Sequence, residues 1–127
     1  MEKYKYLIKG QPVSFSKAHY ALEAGFSSAK ETQLIWRITL QSQHQDRELI
    51  SEEIEVFYDF YFSNLIKCNY HGRFVKVTND VAELIKFASE MATGTIWKDP
   101  RQVVRSTAEK YYSVEARTEI TVIKLVR

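Results

Sequence analysis

Hydrophobic and polar side chains alternate most regularly in residues 53–62. One face of this stretch is apolar throughout and is formed by Ile54, Val56, Tyr58, Phe60 and Phe62. A two-residue period places successive side chains on opposite faces of a β-strand, so the pattern predicts a strand. The second face also contains aromatic residues, Phe57 and Tyr61, and this favours a central position in a sheet over an edge position.

Weaker alternation predicts further strands at residues 4–9, 102–112 and 118–126. The first of these strands ends at the turn signal formed by Gly10 and Pro12. The last two are joined by residues 113–116, and we expect them to pair with each other as antiparallel neighbours.

A helical period begins after a capping box. Ser28 and Glu31 have the spacing that satisfies free N–H groups at a helix start, which predicts a helix over residues 29–44. The buried stripe predicted for this helix consists of Leu34, Ile35, Ile38 and Leu40.

A second helix is predicted to begin at Asp80, which has N-cap to N3 spacing from Glu83, and to end at Gly94. Its buried stripe is predicted to consist of Val81, Leu84, Ile85, Ala88 and Met91. Glu83, Lys86 and Glu90 fall on the opposite face, where their spacing stacks them along the helix.

The elements follow the order strand, helix, strand, loop, helix, strand, strand. This order predicts an α+β fold with one mixed sheet and helices packed on it. The chain has 127 residues, of which 45% are hydrophobic, so residues 1–127 are predicted to form a single domain with one core. Residues 1–9 contain no long apolar stretch, so we expect no secretion signal, and no stretch approaches the roughly 20 apolar residues that span a bilayer. Cys68 is the only cysteine, which is typical of a cytoplasmic protein without disulfides.

The charge of the chain is nearly balanced. Lys and Arg number 18 against 16 for Asp and Glu, and a net charge of +2 permits a polyanionic partner without requiring one. The most basic stretch is the predicted loop of residues 63–78, which has no acidic residue and contains Lys67, His71, Arg73 and Lys76. The histidines lie far apart without zinc-ligand spacing, and we expect ordinary surface or loop residues at His19, His44 and His71.

Carboxylates at the two ends of the second helix are the strongest candidates for a metal site. Asp80 and Glu83 lie at its start, and Asp99 follows its end in a loop. Converging carboxylate oxygens suit Mg²⁺, which can activate water beside a phosphodiester, and Lys86 could offset charge that builds up on the phosphate. The alternative is that Asp80 caps the helix and Glu83 completes the capping box on a solvated face.

The order and spacing of several short motifs resemble the RusA-type Holliday-junction resolvases, small dimeric endonucleases that phages and prophages often encode. The matching stretches are residues 6–14 (YLIKGQPVS), 56–62 (VFYDFYF), 80–86 (DVAELIK), 96–103 (IWKDPRQV), Lys110 and 118–122 (TEITV). The resemblance runs nearly end to end. It implies the family's fold, an Mg²⁺ site, branched DNA as the substrate and a homodimer suited to a symmetric junction.

The resemblance also implies where the metal ligands should lie, and this chain departs from it. Ala82 stands where the family has the second aspartate of the earlier motif, and Pro100 stands where it has the metal-binding aspartate of the later one. Asp59 is a further carboxylate that could replace a missing ligand. The resemblance therefore implies four catalytic residues in this chain: Asp80, Glu83, Asp99 and Lys86. The three carboxylates among them are the expected Mg²⁺ ligands.

Three functions follow as alternatives. The first is a RusA-like protein that binds four-way or other branched DNA with impaired or absent cleavage, and the second is an active Mg²⁺-dependent junction resolvase with rearranged carboxylates. The third is a RusA-like fold reused as a protein-binding or inhibitor module. For the first two, the cations expected to contact DNA phosphates are Lys67, Arg73, Lys76, Lys98, Arg101 and Arg105.

Overall fold

One mixed sheet of four strands organises the chain, and the computed structural model describes residues 2–15, 27–45, 47–63 and 80–125. Of residues 27–29 the backbone alone is described. The strands are β1 (Lys3–Lys9), β2 (Ile54–Phe62), β3 (Val103–Tyr112) and β4 (Arg117–Lys124). The helices whose bounds lie within the described residues are α1 (Ser27–Gln43) and α2 (Val81–Ala92), and a 3₁₀ turn at Pro100–Gln102 precedes β3.

The strands lie across the sheet in the order β1-β4-β2-β3. β4 is antiparallel to both of its neighbours, whereas β2 and β3 are parallel. Parallel neighbours need a long crossover connection, and α2 lies in the chain between β2 and β3. The predicted α+β fold, its mixed sheet and the central position of β2 are confirmed.

The predicted pairing of β3 with β4 is wrong, because β2 lies between these strands and pairs with both. Residues 113–116 pass the end of β2, where the Ser113 N–H donates to the Phe62 carbonyl at 2.8 Å. A link of this length reaches about 13 Å, which exceeds the roughly 10 Å of two strand spacings. Strands that are close in sequence are therefore separated by one strand in space.

The core lies on the face of the sheet that the helices cover. From β2 it receives side chains that are each at most 1% exposed, namely Ile54, Val56, Tyr58 and Phe60. β4 contributes Ile120 and Val122, and the turn after α2 contributes Ile96 and Trp97, all of them fully buried. The rings of Trp36 on α1 and Phe87 on α2 meet in a T-shaped contact, with ring centroids 5.0 Å apart.

α2 begins and ends where the sequence predicted. Asp80 is its N-cap, and Gly94 follows the helix with a φ of +85°, a left-handed conformation that glycine adopts without strain. The predicted stripe is buried at Leu84, Ala88 and Met91, whereas Val81 and Ile85 are half-buried. The stripe also contains Phe87, which the pattern missed. Neither α1 nor α2 has the length and apolar character needed to span a membrane.

The stripe predicted for α1 is wrong at three of its four positions and confirmed at Leu40. Leu34, Ile35 and Ile38 are 58%, 59% and 54% exposed, whereas Trp36 and Leu40 are buried. The large apolar surface of Trp36 favours this rotation of the helix, and polar contacts at the end of α1 hold it in place. The Gln43 side chain there exchanges hydrogen bonds with the backbone of Leu7 on β1, at 2.8 and 2.7 Å.

This rotation can be tested with one substitution made at two positions of the same helix. We expect Leu40→Ala to lower the free energy of unfolding by about 2–5 kcal/mol, because it leaves a cavity in the core. Leu34→Ala should change it by less than about 0.5 kcal/mol, because that side chain is largely in solvent. Urea unfolding followed by circular dichroism measures both values, and equal losses would contradict the rotation described.

Candidate functional site

The predicted catalytic carboxylates lie at the two ends of α2. Asp80 is exposed at the start of the helix, where its Oδ1 accepts a hydrogen bond from the Ala82 N–H at 2.8 Å. Glu83 follows in the first turn and is half-buried. The cap satisfies one of the free N–H groups of the helix start, so Asp80 has a structural role whatever else it does.

Asp99 lies beyond the other end of α2, at the cap of the 3₁₀ turn. Its Oδ1 accepts from the Arg101 N–H at 2.8 Å, and the Arg101 guanidinium lies 2.9 Å from Oδ2. The Gln102 side chain accepts from the Asp99 N–H at 2.6 Å and thereby completes a capping box. Hydrogen bonds from Arg101 hold the pKa of Asp99 at about 2, so this carboxylate is ionised at neutral pH but already paired.

The length of α2 keeps Asp80 and Asp99 apart. The chain after the helix stays at the helix end, because the Trp97 carbonyl accepts from the Gly94 N–H at 2.7 Å. Asp99 is two residues further on, which adds at most about 7 Å, whereas α2 is about 18 Å long. Among the described residues, no group of at least three His, Cys, Asp or Glu side chains is arranged to hold a metal ion. Asp80, Glu83 and Asp99 therefore do not meet within one chain.

Two lysines of the motifs that match the family, Lys86 and Lys110, lie on α2 and β3. Lys86 is exposed on α2, and its Nζ lies 4.1 Å from the centre of the Phe15 ring, a cation–π contact. Lys110 is half-buried on β3, in register with Phe60 of β2 and hence on the face of the sheet that the helices cover. The structure thus leaves the ammonium group of Lys86 accessible from solvent.

Three of the cations predicted to contact DNA lie together at the start of β3. Lys98 is exposed, and the side chains of Arg101 and Arg105 are 90% and 73% exposed. Arg105 pairs with Glu55 of the neighbouring strand at 3.2 Å. Exposed ion pairs contribute little to stability, so Arg101 can exchange its carboxylate partner for a phosphate at small cost. Lys67, Arg73 and Lys76 lie outside the described residues.

A row of carboxylates crosses the other face of the sheet. Asp59 on β2 is directly opposite Glu109 on β3 and Glu119 on β4. Burial raises the pKa of Asp59, and the negative charges of Glu109 and Glu119 raise it further. Because Asp59 points away from α2, it does not replace a missing ligand beside Asp80. The row is not visible in the sequence, because only the strand register brings these three residues together.

His44 was predicted to be an ordinary surface or loop residue, and this is wrong. It is 4% exposed, its Nδ1 lies 2.7 Å from the Tyr6 hydroxyl, and its Nε2 lies 3.0 Å from the Glu48 carbonyl. A carbonyl only accepts, so Nε2 donates to it and Nδ1 accepts from Tyr6 in the neutral ring. Burial raises the pKa of Tyr6 to about 12, which keeps that donor protonated. The other histidines, His19 and His71, lie outside the described residues.

Comparison with known families assigns the chain to a class. The model of the family described as Endodeoxyribonuclease RusA matches residues 11–123, which is most of the chain. This class comprises endonucleases of the Holliday-junction resolvase type, which act on DNA junctions and are in general metal-dependent. The chain belongs to the RusA endodeoxyribonuclease family. No curated protein matches it.

The acidic row generates a prediction about pH. The folded-state pKa of Asp59 is raised above its ordinary value of 3.8, so ionised Asp59 opposes folding at neutral pH. Asp59→Asn should therefore raise the free energy of unfolding at pH 7. The gain should shrink as the pH falls through the folded-state pKa, and it should vanish below 3.8, where Asp59 is protonated in both states.

Urea unfolding at several pH values measures this effect. Glu90→Gln, at an exposed position of α2, is the matched control and should show a much smaller change. A loss of stability in Asp59→Asn at pH 7 would contradict the assigned sign.

Proposed function

We propose that this chain binds four-way DNA junctions as a homodimer in the cytoplasm, and that its ability to cut them is impaired or lost. The observation that supports binding most directly is the group of exposed cations at the start of β3, in a chain of the RusA family. Lys98 and Arg101 are the described side chains best placed to meet phosphates, and we expect Lys67, Arg73 and Lys76 to add to them.

Impaired cleavage is inferred from the side chains around the expected metal site. Ala82 is exposed in the first turn of α2 and has no ligand atom, and Pro100 has none either. Asp99 is paired with Arg101 at 2.9 Å. A single chain of this protein therefore lacks a convergent set of oxygen ligands in its described part.

Binding can be measured by gel shift with a labelled four-way junction in EDTA, beside a linear duplex of the same sequence. We expect a preference for the junction. The double variant Lys98→Gln/Arg101→Gln should weaken junction binding about tenfold or more, and it should lower the salt slope by roughly one unit for each lost phosphate contact.

The control for this experiment is Lys30→Gln, which removes an exposed cation at the start of α1. It should leave both the affinity and the salt slope close to those of the unchanged protein. Equal affinity for junction and duplex would end the junction proposal. Absence of DNA binding at low salt would instead favour a protein-binding or inhibitor module.

A second candidate is Mg²⁺-dependent cleavage by a site that two chains share. It is favoured by the positions of the carboxylates, because Asp80 and Glu83 occupy one helix start while Asp99 lies beyond the opposite end of the same helix. Asp99 could then join Asp80 only from the other protomer. When bound, Mg²⁺ would supply a Lewis acid for phosphodiester hydrolysis, and Lys86 would be available to stabilise charge on the phosphate.

Cleavage by this candidate should depend on Asp80. Asp80→Asn keeps an N-cap of similar quality, so the fold should persist while nicking of a junction in Mg²⁺ falls by about 100-fold or more. Glu90→Gln on the same helix should cut normally.

A site shared between two chains can also be recognised by complementation between two inactive variants. Asp80→Asn and Asp99→Asn proteins, each inactive alone, should regain part of the activity when mixed, because a mixed dimer contains one intact set. No nicking by the unchanged protein in either Mg²⁺ or Mn²⁺ would reject this candidate and leave the binding proposal.

A further inference from the structure

The two edges of the sheet are built differently. At the β1 edge, the Leu7 N–H donates to the Gln43 side chain at 2.8 Å, and the Gln43 amide donates back to the Leu7 carbonyl at 2.7 Å. The exposed side chains along this strand include Lys3, Lys5 and Lys9. A capped backbone and a row of like charges both discourage another strand from pairing here.

In the part of the chain that the structure describes, the β3 edge has neither a side chain that caps its backbone nor a row of like charges. β2 pairs with one side of β3, and no described strand pairs with the other. Residues 104–107 are all exposed, and Val104 reaches 44% exposure. Open edges with β-branched residues and free backbone groups accept a further strand readily.

The charges on β3 complement those of a second, antiparallel copy of the same strand. Arg105, Thr107 and Glu109 alternate on one face of the sheet, in register with Glu55, Phe57 and Asp59 of β2. If a twofold axis passes through Thr107, Arg105 of each copy lies opposite Glu109 of the other. Within one chain these two residues are about 13 Å apart along the strand. Their partners there are others: Arg105 pairs with Glu55, and Glu109 accepts from the Tyr111 hydroxyl.

We propose that residues 105–109 of β3 pair antiparallel with the same residues of a second copy, which joins the two sheets into one. The interface is isologous, with Thr107 on the axis and an Arg105–Glu109 pair on each side. This inference rests on the homodimer of the proposed function and names the surface that forms it. It assigns Arg105 to the interface and leaves Lys98 and Arg101 to DNA.

The proposed register also determines where Asp99 of one copy lies relative to Asp80 of the other. Antiparallel pairing brings the start of one β3, with Lys98 and Asp99, alongside the end of the other. As the crossover between parallel strands, α2 returns from the end of β2 to the start of β3, so Asp80 lies towards the strand ends. Each Asp99 is thereby directed towards the helix start of the second copy.

Charge exchange tests the pairing directly. In analytical ultracentrifugation without DNA, the unchanged protein should be a dimer, whereas Arg105→Glu and Glu109→Arg should each raise the dimer dissociation constant about tenfold or more. The double variant should restore the dimer, because exchanged charges attract again only if the two residues face each other across the interface. Circular dichroism and thermal unfolding of each variant confirm that it is folded.

Matched variants elsewhere separate the possible interfaces. Lys5→Glu on the β1 edge and Ile38→Asp on the exposed face of α1 should leave the dimer intact. The proposal is overturned if either of these variants dissociates the dimer while the β3 variants do not, or if the double variant fails to restore it. A monomeric unchanged protein would overturn it as well, whatever the gel-shift result for junction binding.

A covalent test avoids altered charges. Thr107 and Lys5 occupy the same row at opposite edges of the sheet, since both are linked in register through Thr121 and Phe57. In a Cys68→Ser background, mild oxidation should cross-link Thr107→Cys into a dimer on a non-reducing gel, and Lys5→Cys should stay monomeric on that gel. Cross-linking of Lys5→Cys alone would place the interface at the opposite edge and overturn the proposal.

Discussion

The burial of one face of β2 is the constraint on which the rest of the structure depends. Four of its inward side chains, Ile54, Val56, Tyr58 and Phe60, are each at most 1% exposed, and burial of side chains of this size contributes roughly 1.5–3 kcal/mol apiece. A strand in the middle of a core must pair on both sides, because buried backbone groups without partners are costly. β3 and β4 therefore occupy the two sides of β2, and the link between them has to pass its end.

α2 both covers that core and separates the candidate catalytic groups. The same apolar stripe that buries Leu84 and Phe87 fixes the helix against the sheet, and its length sets the distance between Asp80 and Asp99. Membership of the RusA family defines the kind of protein, whereas Ala82 and Pro100 define how this chain differs. Because α2 separates Asp80 from Asp99 within one chain, a metal site that contains both residues depends on how two chains associate.

The described surface divides into regions of different chemistry. One edge of the sheet is closed by Gln43 and lysines, and the other is open and has charges in a self-complementary order. The cations at the start of β3 lie next to this open edge, so an interface there would bring the DNA-facing groups of two chains into a symmetric arrangement. Four-way junctions have the same kind of symmetry, which links the proposed assembly to the proposed substrate.

The sequence by itself determined the local elements, because periodicity and capping are properties of neighbouring residues. The strand at residues 53–62, the helix between Asp80 and Gly94 and the family resemblance all followed from short stretches. The partners of β3 and β4, the rotation of α1 and the burial of His44 were decided only by the tertiary structure. Each of these features depends on which apolar surfaces of the whole chain are buried together. The row of Asp59, Glu109 and Glu119 depends on the strand register. Such contacts join residues far apart in the chain, and no local pattern encodes them.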